Sequence, residues 1–228
     1  MIWPKDSDLF PAITGEVFDA IAADKEWQEI EINRCAEEPW YWLVNYCWTI
    51  RRDDEGSYVE RVPPKDYLRL VAQDWYENPL YMLSKSRQMM ATWLLVLLHL
   101  HTAMFFDNIH ICCQTKKEDD ADSEMIQRAH FAFGQFPIWM RKYSPAKYSF
   151  CKLYLTKTKS LLRGIPAGGD QIRSHNPNYL LSDEFAFQPE AEESYTAALA
   201  CCQRLTLVSS ANPGFMDDLV HERVKVAV

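Results

Sequence analysis

The spacing of apolar side chains divides the chain into an N-terminal part with helical periodicity and a longer part of mixed periodicity. Apolar residues recur at helical spacing over residues 18–35, over the aromatic-rich segment 40–50 and over residues 65–76. The charged segment 51–64 lies between the second and third of these, and its glycine and two prolines predict a loop or a hairpin.

From residue 80 onward, short apolar runs alternate with longer helical segments. Strands are predicted at residues 80–83, 108–113, 179–182 and 205–209, and a hairpin from 152–155 and 160–166. Helices are predicted at residues 91–106, 116–133 and 189–202. Thr115 is the expected N-cap of the second helix, which has acidic residues in its first turn.

Strands that alternate with helices predict an α/β fold, in which a mostly parallel sheet is covered by helices on both faces. We therefore expect a helical and irregular N-terminal extension over residues 1–62 and the α/β domain over residues 63–228. With 228 residues, of which 48% are hydrophobic, the chain is long enough to bury one sizeable core.

The charge balance is acidic, with a formal net charge of −8 and an isoelectric point near 5.3. Such a chain is not a static, high-affinity binder of nucleic acid, although a local basic surface or transient contact with DNA stays open. The most apolar stretch, residues 93–106, is too short to span a bilayer and contains His99 and His101. No signal peptide opens the sequence, so we expect a soluble protein.

The seven cysteines form no C-x-x-C pair, although two adjacent pairs occur, Cys112–Cys113 and Cys201–Cys202. Both pairs lie in apolar segments. This pattern predicts buried, reduced thiols in a cytosolic protein and shows no zinc site.

Three predicted strands end in polar residues, and ligands bind beyond the carboxyl ends of the strands in open α/β sheets. The first strand runs into KSRQMMAT (85–92), which lacks both glycines and the penultimate lysine of the usual phosphate loop; Thr92 alone fits. The second ends in Asp183 and Glu184, which suit a metal ligand and a base but also suit plain solvation. The third ends in SSANPG, which is either a phosphate sensor or a polar turn.

The order of these segments is typical of one family. The segments are KSRQMMATW (85–93), LLRGIPAGGDQIRSHNPNYLLSDE (161–184), LLSDEFAF (180–187) and SSANP (209–213). Over roughly residues 60–220, the chain resembles the ATPase half of the large terminase subunit, the motor that packages DNA into the heads of tailed phages and herpesviruses. The resemblance implies a RecA-like P-loop ATPase core with an additional catalytic glutamate, preceded by N-terminal helices.

The resemblance also implies a phosphate loop whose lysine stands at its start. Lys85 then folds back onto the β- and γ-phosphates, and the hydroxyl group of Thr92 ligates Mg²⁺. Met90 stands where a glycine usually permits a positive φ, a conformation that costs another residue about 1–2 kcal/mol. The nucleotide-binding residues so implied are Lys85, Ser86, Arg87, Gln88, Met89, Met90, Ala91 and Thr92.

The same resemblance implies the catalytic roles. Lys85 and Arg87 are the catalytic cations, and Arg87 acts on the charge of the transition state, with a structural ion pair as its alternative. Asp183 holds Mg²⁺ directly or through water, and Glu184 orients and deprotonates the attacking water. The coupling motif is formed by Ser209, Ser210 and Asn212. Arg173 serves a phosphate, DNA or a neighbouring subunit, and further candidates for a trans-acting arginine are Arg128, Arg141 and Arg163.

The partners implied by the resemblance are double-stranded DNA, the portal protein of the procapsid, the small terminase subunit and further copies of the chain in a pentameric ring. An isolated domain can be monomeric. ATP is the substrate and Mg²⁺ the cofactor, in the host cytoplasm and transiently at the portal vertex. The residues after Asn212 are too few for the family's C-terminal nuclease, so we expect an ATPase fragment that does not cut DNA.

Two alternatives remain at this stage. A helicase-like translocase would share the acidic strand but needs a second motor domain, for which the chain has no room. A non-catalytic nucleotide-binding or assembly module is the other alternative, and the missing glycines of the loop favour it.

Overall fold

The computed structural model describes residues 13–53, 56–86 and 89–221. Within these ranges lie eleven α-helices and nine strands. The helices are α1 Gly15–Ala23, α2 Lys25–Glu37, α3 Pro39–Tyr46, α4 Asp66–Glu77, α5 Ala91–Phe105, α6 Glu118–Ala121, α7 Gln127–Gln135, α8 Ile138–Tyr143, α9 Gly169–His175, α10 Ala191–Cys201 and α11 Phe215–Val220. The strands are β1 Trp48–Asp53, β2 Gly56–Arg61, β3 Leu80–Ser84, β4 His110–Thr115, β5 Ala146–Ser149, β6 Lys152–Leu155, β7 Ser160–Pro166, β8 Tyr179–Ser182 and β9 Arg204–Ser209.

The central sheet has seven strands in the order β3-β9-β8-β4-β7-β6-β5. The first five are parallel, whereas β6 and β5 continue the sheet as an antiparallel extension. This arrangement confirms the predicted α/β fold with a mostly parallel sheet and the predicted hairpin of β6 and β7. Strand β9, the last of the described strands, is inserted between β3 and β8, so three polar strand ends become neighbours.

Helices cover both faces of the sheet. On the first face, α5 is the central element, and its residues 94–104 are all buried. A helix that is apolar all round needs neighbours all round. It is enclosed by the sheet, α4, α7 and the aromatic helix α3, whose Trp42 packs against Phe136. On the second face, α9, α10 and α11 pack over β4, β8, β9 and the end of β7.

The N-terminal helical pattern divides more finely than predicted. Residues 18–35 form parts of two helices, because Asp24 ends α1 and its carboxylate accepts hydrogen bonds from the backbone N–H groups of Glu26 and Trp27 at the start of α2. Residues 40–50 are not one helix. After Tyr46 the chain becomes β1, which pairs antiparallel with β2 and confirms a hairpin in the charged segment.

The helix predicted at residues 116–133 begins differently from the prediction. Thr115 is not its N-cap, because it is the last residue of β4 and its hydroxyl group donates to the carbonyl oxygen of Lys117 at 2.6 Å. Helix α6 starts at Glu118, with the acidic first turn that was predicted. A π-helical turn, Asp122–Ile126, then separates α6 from α7.

The seven cysteines are free thiols, as predicted. Five are buried, but Cys201 and Cys202 are partly exposed at the end of α10, which corrects the expectation for that pair. Burial raises the pKa of Cys112 to about 12, so its thiol stays protonated at neutral pH. Within the part of the chain that the structure describes, no helix has the length and hydropathy to cross a membrane.

Gly169 sets the approach of α9 to α10. A Cβ atom there would lie 2.9 Å from the carbonyl oxygen of Glu193 and 2.9 Å from its Cγ atom. We expect Gly169→Ala to lower the free energy of unfolding by about 1–3 kcal/mol, because the backbone of α10 must move. The matched control is Gly134→Ala in α7, where nothing lies within 4 Å of the added atom. That variant should be stabilised by up to about 1 kcal/mol.

Chemical denaturation of both variants measures the difference. Equal stabilities for the two alanine variants would contradict the close packing of α9 on α10.

Candidate functional site

Three polar strand ends meet at one edge of the sheet. Ser84 at the end of β3 pairs with Ser209 at the end of β9, and β9 lies beside β8. The backbone N–H group of Lys85 donates to the carbonyl oxygen of Ser209 at 2.9 Å. The loop that follows β3 is therefore tied to the tip of β9.

Asp183 is the buried centre of this edge, with 8% of its surface exposed. Its Oδ2 atom accepts a hydrogen bond from the hydroxyl group of Thr92 at 2.8 Å, across 91 residues of sequence. Its Oδ1 atom accepts from the backbone N–H group of Glu184 at 2.9 Å. Both carboxylate oxygens are therefore fixed in direction. The oxygens of Thr92 and Asp183 are hard ligands of the type that Mg²⁺ prefers, so this pair fits a magnesium site.

Glu184 differs from its neighbour in backbone conformation and in exposure. Its backbone is left-handed, with φ at 51°, and half of its side chain is exposed. The Oε2 atom accepts from the hydroxyl group of Ser210 at 3.4 Å. The two adjacent acids thus differ in environment, because Asp183 is enclosed by donors and Glu184 faces solvent. That difference suits one carboxylate for holding a cation and the other for orienting water.

Lys85 lies between the two acids. Its Nζ atom is 3.9 Å from Oδ1 of Asp183 and 3.6 Å from Oε1 of Glu184, and its side chain is only 13% exposed. The ammonium group of a lysine at the first position of the loop therefore lies beside both carboxylates. The ammonium group is available for an anionic ligand that competes with them.

The end of the loop has an unusual backbone. Met90 has φ at 55° and ψ at 10°, and its carbonyl oxygen accepts the first helical hydrogen bond, from Leu94. The left-handed conformation costs about 1–2 kcal/mol without glycine. The Met90 side chain packs against the core of the first face, which offsets part of this cost. Arg87 and Gln88, two further predicted loop residues, lie outside the described residues.

The polar tip of β9 holds the segment that follows Glu184. The buried hydroxyl group of Ser209 accepts from the backbone N–H group of Ala186 at 3.2 Å, and the side-chain amide of Asn212 donates to the carbonyl oxygen of Ala186 at 2.9 Å. Ser210 contacts Glu184 itself. These three residues therefore position the acidic segment from the neighbouring strand.

A group of buried polar side chains, which the sequence pattern does not predict, holds the backbone at Asp183. Gln188 donates from its side-chain amide to the carbonyl oxygen of Asp183 and to the hydroxyl oxygen of Ser182, both at 2.9 Å. Ser182 in turn donates to Gln114 at 3.1 Å. The signal was one glutamine inside the apolar run HICCQT, where a buried amide needs partners.

A cleft of about 870 Å³ opens beside this edge. A volume of this order accommodates a small-molecule ligand. Its walls come from the β1–β2 hairpin, the start of α4, the loop residues Lys85 and Met89 to Thr92, and the segment from the π-helical turn into α7. The Arg128 guanidinium lies 5.1 Å from the ring centre of Trp93, which meets Phe131 edge-on at 6.1 Å. Neither the hairpin wall nor these aromatic residues follow from the sequence pattern.

The candidate arginines lie in different parts of the fold. Arg128 lines the cleft and pairs with Glu124 of the π-helical turn. Arg173 lies on α9 and pairs with Asp170 at 2.9 Å and with Glu193, and these hydrogen bonds raise the pKa of its guanidinium. Arg163 of β7 and Arg141 of α8 are not among the cleft-lining residues.

The sheet order and the site at its edge define an α/β protein with a loop between a strand and a buried helix, opposite an acidic strand end. Among solved structures, the chain has the fold of phage large terminases. The crystal structure of the HK97 bacteriophage large terminase aligns with 82% of this chain at 18% identity and a TM-score of 0.63. The large terminase from the thermophilic bacteriophage D6E aligns with 69% at 13% identity and a TM-score of 0.51.

These likenesses confirm, at the level of the fold, the resemblance seen in the motifs. The chain spans 42% of the HK97 protein and 43% of the D6E protein. The sequence matches no protein-family model, and no curated protein matches it.

Proposed function

We propose that this chain is the ATPase motor domain of a phage large terminase, which hydrolyses ATP with Mg²⁺ to drive double-stranded DNA into the procapsid. The observation that carries the proposal is the convergence of Lys85, Thr92, Asp183 and Glu184 at adjoining strand ends beside an open cleft. The terminase fold supports it.

In the proposed reaction, Lys85 exchanges its contact with the carboxylates for the terminal phosphates of ATP. An ammonium group with three donors makes strong, charge-assisted hydrogen bonds to phosphate oxygens. The hydroxyl group of Thr92 and the carboxylate of Asp183 hold the magnesium ion, which when bound neutralises phosphate charge. Backbone N–H groups at the start of α5 add positive partial charge on the same side.

Glu184 is the proposed base. Its half-exposed carboxylate lies at the mouth of the site, where it orients a water molecule and accepts its proton. Ser210 and Lys85 hold the two carboxylate oxygens in the resting state. Departure of Lys85 toward phosphate leaves Oε1 of Glu184 open to water.

The same contacts provide a route for coupling. The loop is bound to β9 through Lys85 and Ser209, and β9 is bound to the segment after Glu184 through Ala186. A displacement of the loop on hydrolysis therefore reaches β9 and the acidic segment together. We propose this as the function of Ser209, Ser210 and Asn212.

The arginines divide between cis and trans roles. Arg128 lines the cleft of its own chain, which favours action in cis. Arg173 lies at the surface, which favours contact with a neighbouring subunit, DNA or phosphate. The proposed partners are double-stranded DNA, the portal protein, the small terminase subunit and further copies in a pentameric ring.

One observation favours a second candidate function. Met90 adopts the left-handed conformation without being glycine, and the loop contains no glycine at all. A loop of this kind is also expected in a non-catalytic nucleotide-binding or assembly module.

Calorimetric titration with a non-hydrolysable ATP analogue and Mg²⁺ tests the proposal. We expect the wild-type chain to bind, and Lys85→Ala to weaken binding by a factor of about 10–100, because charge-assisted hydrogen bonds to the phosphates are lost. Lys117→Ala, which removes an exposed lysine outside the cleft, is the matched control and should bind as the wild type does.

Unchanged affinity in Lys85→Ala would reject the displaced lysine. A folded wild-type chain that binds neither ATP nor ADP would favour the non-catalytic module.

A further inference from the structure

Basic residues are concentrated in one part of this acidic chain. Residues 125–169 contain eight lysines and arginines and no aspartate or glutamate, although the whole chain has a net charge of −8. This segment forms the helices α7 and α8 and the strands β5, β6 and β7. Strands β5 and β6 are the antiparallel end of the sheet, and β7 joins them to the parallel part. The sheet therefore carries its positive charge at the end away from β3.

The strand register collects these charges on one face. Lys152 is paired with Arg163 across β6 and β7, and Lys147 with Tyr154 across β5 and β6. Alternate residues of a strand point to opposite faces, and Leu153 is buried in the core of the first face. Lys147, Lys152, Tyr154 and Arg163 therefore lie together on the second face; we call these four residues the basic strip.

Helices do not cover the second face at this end. The residues that pack beneath α9, α10 and α11 come from β4, β8, β9 and the end of β7, not from β5 or β6. Lys147 and Lys152 are exposed, and so is Tyr154, at 37%. Phe150, in the turn between β5 and β6, is 57% exposed. The strip extends over three strands, about 10 Å across, and has aromatic residues beside it.

In the described part of the chain, no ion pair involves Lys147, Lys152 or Arg163. The guanidinium of Arg163 lies 3.4 Å from Nδ1 of His175, and its buried Nε atom has no hydrogen-bond partner among the described residues. Cations that form no ion pair and lie beside aromatic residues suit the phosphate backbone of nucleic acid.

Strands β5 and β6 form a hairpin, and its other face contacts the wall of the cleft. Asp122, which opens the π-helical turn, accepts hydrogen bonds from the hydroxyl group of Tyr148 at 3.1 Å and from the backbone N–H group of Cys151 at 2.7 Å. The ring of Tyr148 stacks on His130 of α7 at 4.3 Å. Two residues of the π-helical turn, Ser123 and Glu124, line the cleft. The β5–β6 hairpin is therefore connected through Asp122 to the wall of the cleft.

We propose that the basic strip contacts the phosphate backbone of double-stranded DNA, and that the Asp122 link connects this contact to the nucleotide cleft. The proposal rests on the proposed function for the choice of DNA as partner. It adds the contacting surface and the route by which that surface communicates with the site.

Fluorescence anisotropy with a labelled duplex, measured over a series of salt concentrations, tests the contact. We expect Lys147→Glu and Lys152→Glu each to weaken binding about fivefold, and the double variant about 25-fold. Each lost phosphate contact should reduce the slope of log affinity against log salt by about 1. Lys25→Glu, an exposed lysine of α2 outside the strip, is the charge-matched control and should bind as the wild type does.

Duplex affinity of the double variant equal to that of Lys25→Glu would overturn the proposal. Binding of a polyglutamate peptide as tight as that of the duplex would overturn it as well, and would assign the strip to an acidic protein. Basal ATP hydrolysis without DNA is measured on the same preparations. Its absence in the wild type would refute the proposed function, whereas its presence with unaffected duplex binding in the double variant would refute the strip alone.

Tyr148→Phe tests the link. It removes the hydroxyl group that donates to Asp122 and keeps the ring on His130. We expect duplex affinity within twofold of the wild type and at least a twofold loss of the stimulation of ATP hydrolysis by DNA. Stimulation equal to that of the wild type would contradict transmission through Asp122.

Discussion

We expect Glu184→Gln to lower the rate of the proposed ATP hydrolysis by a factor of about 10²–10⁴, while affinity for nucleotide stays within a few-fold of the wild type. Glutamine has nearly the same shape, and its amide can still accept from the hydroxyl group of Ser210. It cannot take a proton from water. The change therefore removes the base and leaves the site otherwise assembled.

Single-turnover hydrolysis measures the rate, and calorimetry with a non-hydrolysable analogue measures binding. Glu192→Gln is the matched control, because Glu192 is an exposed residue of α10 that is not among the residues in the site. We expect this control to keep wild-type turnover. Wild-type turnover in Glu184→Gln would reject Glu184 as the base, and the loss of both turnover and binding would indicate a structural role instead.

Acidification from pH 6.5 to 5 lowers the free energy of unfolding by about 3 kcal/mol through two buried histidines of α5, His99 and His101. Burial lowers the pKa of His99 to about 3 and that of His101 to about 4, from an ordinary value of 6.5. Above pH 6.5 both side chains are neutral in the folded and unfolded states. Below pH 6.5 the unfolded chain binds protons that the folded chain excludes, at about 1.4 kcal/mol per pH unit for each histidine.

The contacts of the two rings explain why they stay neutral. His101 accepts from the hydroxyl group of Tyr76 at 2.6 Å and donates to the carbonyl oxygen of Cys35 at 2.9 Å, so both ring nitrogens are used by the neutral form. His99 donates to the carbonyl oxygen of Leu95 at 2.7 Å, and its Nε2 atom has no partner among the described residues. A second proton on either ring would be buried without a counter-charge.

Denaturant titrations at pH 7 and pH 5 measure the loss of stability. His99→Leu fills the same buried position without a titrating group, so the loss between these two pH values should be about half as large. His221→Gln, which replaces an exposed histidine, is the control and should retain the full loss. A pH dependence that is the same in His99→Leu and the wild type would contradict the role of this ring.

Several elements could be predicted because their signals are local. The apolar runs of β3, β4, β8 and β9 and the helical period of α4 and α5 appear within windows of a few residues. The polar ends of three strands are visible for the same reason. One wrong prediction, the unbroken helix over residues 116–133, failed where distant residues take part. Asp122 interrupts a regular helical pattern because its carboxylate is held by Tyr148 and Cys151, which are 26 and 29 residues away.

The candidate site shows the same division. Lys85, Thr92, Asp183 and Glu184 were named from sequence, and the structure brings them together at one edge of the sheet. Gln114 and Gln188, which brace Asp183, and the aromatic wall of the cleft were not named, since a buried glutamine or a partly exposed tryptophan has no motif of its own.

The sequence by itself determined the strands β3, β4, β8 and β9, the helices α4 and α5, the polar ends of three strands, and where the basic residues are concentrated. These properties depend on residues that are close together in the chain. Tertiary structure alone decided that β9 enters between β3 and β8, that the β1–β2 hairpin lines the cleft, and that Lys147, Lys152 and Arg163 share one face of the sheet. The physical reason is that strand pairing and burial depend on contacts between residues far apart in the chain. The free energy of the whole core selects among such arrangements, and local periodicity does not.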